Sequence, residues 1–138
     1  MAKTSEKDME KLAFELYRYL KNKGYEGDVR IYYKGGHCIS DCEDYSHKGL
    51  FVKNTHVYRG KEYEYYECTE EIKGSTYFEY ANDDTLSVST EGVLCEILNC
   101  YLGGRLYDKV NEDLNKMFEK YGLYFELGHH WNFSLYEI

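Results

Sequence analysis

The apolar residues of this chain change period three times, and those changes limit the folds open to it. Between residues 5 and 23, Met9, Leu12, Ala13, Leu16 and Leu20 recur at helical spacing, with Glu10, Lys11, Glu15 and Arg18 largely opposite. Ser5 can cap this segment, with Asp8 three residues on, and Gly24 ends it. From residue 28 to residue 90 the period falls to two. Extended segments are expected at 28–34, 50–58, 61–68, 75–80 and 85–90, with glycine or Asn-Asp turns at most of the breaks. Residues 35–48 read as a loop after Gly35-Gly36. In the 61–68 segment Tyr63 and Tyr65 should point inward and Glu62 and Glu64 outward. In 75–80, Phe78 and Tyr80 should point inward and Glu79 outward.

Residues 91–101 fit either element, with Val93, Leu94, Ile97, Leu98 and Tyr101 matching one helical face slightly better. A second long helix is expected over 105–121, with Leu106, Val110, Leu114, Met117, Phe118 and Tyr121 on one stripe and Gly122 as its stop. Alternation at Leu123, Phe125 and Leu127 and again at Trp131, Phe133 and Leu135, around Gly128-His129-His130, predicts a C-terminal hairpin. The expected architecture is α+β: an antiparallel β-meander with two main helices packed on one face and the C-terminal hairpin. A length of 138 residues suits one domain spanning 1–138.

The net charge of −8 is concentrated in one place. The window from Glu62 to Glu96 holds ten acidic residues and one basic residue, Lys73, so it carries −9, and the other 103 residues sum to about +1. Tyr63, Tyr65, Tyr66, Tyr77, Phe78 and Tyr80 lie between the acids. An acidic, tyrosine-bearing surface suits a basic partner, because carboxylates can stand in for phosphates against Lys and Arg while the rings anchor. Glu62, Glu64, Tyr66, Glu67, Glu70, Glu71, Tyr77, Glu79, Asp83 and Asp84 are therefore the candidate partner-binding residues. The competing interpretation is a solvated sheet face that keeps the protein soluble and blunts edge pairing.

Other chemistry has less support. His37, Cys38, Cys42 and His47 form one compact cluster of metal-ligand types, without the second short ligand pair that structural zinc sites usually have. No cofactor is expected, and the alternative to a binding protein is a zinc-stapled domain or a Cys-dependent enzyme. The chain has no glycine-rich phosphate loop, nucleophile elbow or paired-histidine metal helix, so an enzyme is not the expectation. Lysines and acids alternate on the first helix without a basic stripe, which argues against direct nucleic-acid binding. No signal core or apolar span is evident, and five cysteines, an odd number, are expected as reduced thiols, so a cytoplasmic location is expected.

The 62–96 belt, the 138-residue length, the single-domain pattern and the Lys-, Asn- and Tyr-rich, proline-free composition together resemble the small acidic anti-defence proteins of phages and mobile elements, anti-CRISPR proteins among them. That group shares a role and has no defining motif. The resemblance implies an inhibitor that occupies the basic nucleic-acid channel of an RNA-guided nuclease.

Overall fold

The computed structural model describes residues 2–43 and 50–138. Helix α1 runs Glu6–Lys23. The Asp8 N–H donates to Ser5 Oγ at its start, and Gly24 closes its end by donating to Leu20 and Lys21 carbonyls. Strands β1 (Val29–Tyr33) and β2 (His37–Ser40) form a hairpin. Strands β3 (Phe51–Tyr58) and β4 (Lys61–Cys68) form another, and β5 (Leu86–Thr90) follows alone. Short helix α2 (Val93–Leu98) and helix α3 (Gly104–Glu119) precede the last hairpin, β6 (Leu123–Leu127) and β7 (Asn132–Glu137). The seven strands make one antiparallel sheet in the order β3-β4-β2-β1-β5-β7-β6.

Register assigns every strand residue to a face. Ile31 pairs with Ile39 and Val88, and Val88 pairs with Phe133, so these side chains share the face on which the helices lie. There Met9, Leu12, Leu16, Tyr17 and Leu20 of α1 and Leu114 and Phe118 of α3 are fully buried against them. Each such side chain contributes roughly 1.5–3 kcal/mol by leaving water, so this layer dominates stability. Tyr63 and Tyr65 join it as the alternation of β4 predicts, and the Tyr17 hydroxyl donates to the Glu64 carbonyl at 2.6 Å.

The opposite face is apolar at its centre too. Tyr32, Cys38, Phe51 and Cys68 point there and are buried by the β4–β5 connection, through Ile72 and Phe78. Phe78 meets Tyr32 and Trp131 edge-on, at 5.8 and 5.6 Å between centroids. The connection is fastened at Gly36, whose carbonyl accepts from the Ile72 N–H at 2.9 Å. Gly36 has φ +80, and a Cβ there would sit 2.3 Å from Glu71 Cγ, so the close crossing requires glycine.

Two expected elements differ. Residues 75–80 form no strand: a 3-10 turn at Gly74–Thr76 and further turns replace it, Phe78 alone reaches inward, and Tyr80 (φ +66) is 62 % exposed. The alternation there was that of one anchor residue beside a turn. Within the expected 35–48 loop, His37–Ser40 is strand β2, because Gly35-Gly36 belongs to the turn of a hairpin and does not end the extended structure. The helical choice for 91–101 holds for Val93–Leu98.

Phe78→Ala should cost about 3–5 kcal/mol in urea unfolding, the usual range for emptying a buried phenylalanine site. It should also speed proteolysis within residues 69–85. A second expectation concerns pH. Arg18 Nη1 lies 2.9 Å from His56 Nε2, and burial followed by the Arg18 charge lowers the His56 pKa. The unfolded chain therefore takes up this proton at a higher pH than the folded one, so His56 favours folding above its unfolded pKa. That contribution is lost as pH falls through its folded pKa. Chemical denaturation between about pH 7.5 and pH 5 should show a smaller acid-side loss for His56→Gln than for wild type.

Candidate functional site

Most of the acidic belt lies on the side of the sheet away from α1 and α3. In β4, Glu62 and Glu64 alternate with the buried Tyr63 and Tyr65, so their carboxylates stand on the opposite face, beside Lys53, Thr55 and Val57 of β3. The connection anchored on that same face by Ile72 and Phe78 carries Glu70, Glu71, Glu79, Asp83 and Asp84. Sequence alone could bring these residues together only along the chain. The packing of Phe78 brings them together in space.

Two members separate from the group. Glu67 pairs with Ile39 and so points to the helix face, where it accepts from Asn54 Nδ2 at 3.1 Å. Glu96 is on α2. Of the candidate tyrosines, Tyr77 is 41 % exposed and stacks on Tyr32 at 5.9 Å, while Tyr66 is half-buried against the second apolar cluster. Tyr80, expected inward, is instead a further exposed ring on this side.

Few cations oppose these acids. Lys53 pairs with Glu64 at 3.1 Å and Lys73 with Glu71 at 3.8 Å, both on the surface, where such pairs are worth at most about 1 kcal/mol. Among the described residues, Glu62, Glu70, Glu79 and Asp84 form no ion pair. Asp83 is held by Ser75, accepting from its hydroxyl and from its N–H. Lysines gather on the other side. Lys23, Lys109, Lys116 and Lys120 border a groove of about 430 Å³ between α1 and α3, together with Glu15 and Asp113. The two sides therefore differ in charge, with carboxylates dominating over the sheet while acids and bases balance along α1 and α3.

Two cavities open on the acidic side. One of about 390 Å³ lies at the β1–β2 turn, where Glu6 of α1 joins Glu71, Asp83 and Asp84 beside Lys34 and Lys73. Lys34 Nζ donates to the Thr4 carbonyl at 2.9 Å. The other, of about 210 Å³, has Arg30 flanked in register by Ser40 and Ser89, with Tyr77, Trp131 and Glu91 around it. Glu6, Arg30 and Trp131 carry no signal in the linear sequence that would join them to the belt. Strand order brings Arg30 and Trp131 there, and the start of α1 against Gly35 brings Glu6.

The metal-ligand types do not converge. His37 and Cys38 are adjacent on β2 and face opposite sides, and Cys38 is fully buried. Cys42 Sγ lies 4.0 Å from Ser40 Oγ, and His47 falls outside the described residues. Among the described residues no three His, Cys, Asp or Glu side chains are placed to hold a metal ion. Burial, then neighbouring Asp41, pushes the Cys42 thiol pKa up, and burial raises that of Cys95, which keeps both thiols protonated at neutral pH. No helix among the described residues is long and apolar enough to cross a membrane.

No protein-family model, no curated protein and no solved structure matches this chain.

Proposed function

We propose that this protein is a binding protein whose acidic, tyrosine-bearing sheet side occupies the basic nucleic-acid-binding surface of a partner. An RNA-guided nuclease is the instance that the resemblance to anti-CRISPR proteins implies. One observation carries the reading: the β4–β5 connection folds over the same face that bears Glu62 and Glu64, so dispersed carboxylates become one surface. A feature serving solubility alone has no need of such polarity, since net charge acts wherever it sits. Several carboxylates on this side lack ion pairs and are free to meet Lys and Arg, and Tyr77 and Tyr80 supply exposed rings at the same surface.

The contact would be steered by charge and so sensitive to salt, because exposed charges are screened beyond roughly 8 Å at physiological ionic strength. Titration into an RNA-guided nuclease, free and loaded with its nucleic acid, tests this directly. Binding should weaken steeply between about 0.05 and 0.5 M salt and should compete with the nucleic acid. Glu62, Glu64, Glu79 and Asp84 are all exposed, and among the described residues only Glu64 is in an ion pair, the surface one to Lys53, so the four can be changed together to lysine with little effect on the fold. That variant should lose about 100-fold or more in affinity while keeping its circular dichroism spectrum. Equal affinity of the variant and wild type would overturn the reading.

A further inference from the structure

We propose that the outer edge of β3 pairs antiparallel with the same edge of a second copy, centred on Thr55, to form a two-fold dimer with one continuous sheet. Among the described residues β3 ends the sheet, and its eight residues pair with β4 in unbroken register from Phe51 with Cys68 to Tyr58 with Lys61. Terminal strands are normally guarded by proline, a bulge, short length or repeated charge. This strand has no bulge in its register, the chain has no proline, and the only charged residue in the strand is Lys53. The opposite edge, β6, has five residues and carries Glu126.

The turn fixes which backbone groups are available. Arg59 and Gly60 have φ +51 and +78, the signature of a two-residue type I′ turn. In such a hairpin the closing pair, Tyr58 and Lys61, exchanges hydrogen bonds. Every second residue from Tyr58 therefore bonds to β4, and the N–H and C=O groups of Lys53, Thr55 and Val57 point away from it. These residues share one sheet face, so they can pair only with one another across a two-fold axis. Thr55 then meets Thr55 of the second copy, and Lys53 meets Val57.

The side chains favour this occupant over an unrelated strand. Val52, Val57 and Tyr58 are 42, 61 and 39 % exposed. The register sets Val52 against Tyr58 and Thr55 against Thr55, an aromatic–β-branched pair and a Thr–Thr pair, both of which stabilise sheets. Lys53 lies against the aliphatic Val57, which its stem can cover. Three strand spacings separate the two Glu64 residues, about 14 Å, beyond the range in which exposed charges repel strongly at physiological salt. Pairing β3 with β6 instead would be head-to-tail and would not close.

The full chain, followed by light scattering and sedimentation from about 1 to 100 μM, should show a monomer–dimer equilibrium. The Lys53, Thr55 and Val57 amides should exchange with solvent more slowly as concentration rises. Val57→Lys puts like charges opposite each other twice and should raise the dissociation constant about tenfold. Val57→Glu, at the same exposed site, should leave it unchanged or lower it. Thr55→Pro, which removes the central outward N–H, should give a folded monomer. A monomer at every concentration would overturn the proposal, as would a dimer on which the two Val57 variants act alike. So would rapid exchange of those three amides in a dimer.

Discussion

Burial of Phe78 against Tyr32 and Trp131, on the side of the sheet away from the helices, is the contact on which the acidic surface depends. Tyr32, Cys38, Phe51 and Cys68 would leave a bare apolar patch mid-sheet if that side were open. The β4–β5 connection has few apolar residues to cover them: Ile72 and Phe78, with Ala81 partly buried. Backbone and side-chain ties assist, from Ile72 to Gly36, from Ser75 to Asp83, and from Asn82 to Leu135. Against these stands the mutual repulsion of carboxylates, a few tenths of a kcal/mol for each close pair. Burying one phenylalanine outweighs several such pairs, so a chain this acidic can still be held to the sheet.

The helices and the C-terminal hairpin were legible because their apolar stripes are long and their ends carry strong signals, Ser5 and Gly24 on α1 above all. The inward tyrosines of β4 followed from strict alternation. The segment around Phe78 misled because a loop that drops one large residue onto a core shows the same short pattern as a strand. Strand β2 was hidden by its length of four residues and by glycines that serve a hairpin turn. Cys100, five residues after the buried Cys95 on the same apolar stretch of sequence, is exposed at φ +63 just beyond α2. The separation of Glu67 from Glu62 and Glu64 was implicit in the alternation. Its significance became visible only once β4 had a helix-covered face on one side.

Placement in space alters the meaning of the charge count. Ten acids in 35 residues could have been distributed around the molecule, and each would then have been an ordinary solvated carboxylate. Because the connection returns over the sheet, that side is strongly acidic, while acids and bases balance along the helices on the other. Such polarity orients an approaching cationic surface before contact, an effect that net charge alone cannot produce. The exposed tyrosines matter for a separate reason. Exposed ion pairs add little affinity, so a stable complex needs apolar anchors within the charged field.

The β3 edge and the acidic side are linked by symmetry. A two-fold axis perpendicular to the sheet keeps both helix layers on one side and both acidic connections on the other. Glu62 and Glu64 of β4 lie one strand in from that edge. The two acidic surfaces would therefore abut at the new strand pair, lengthening the carboxylate array without a new fold. Any partner reading that array would meet paired copies at a fixed spacing, set by the sheet and not by a flexible linker. Fixed spacing makes the second contact effectively intramolecular, so avidity could exceed the strength of either surface alone.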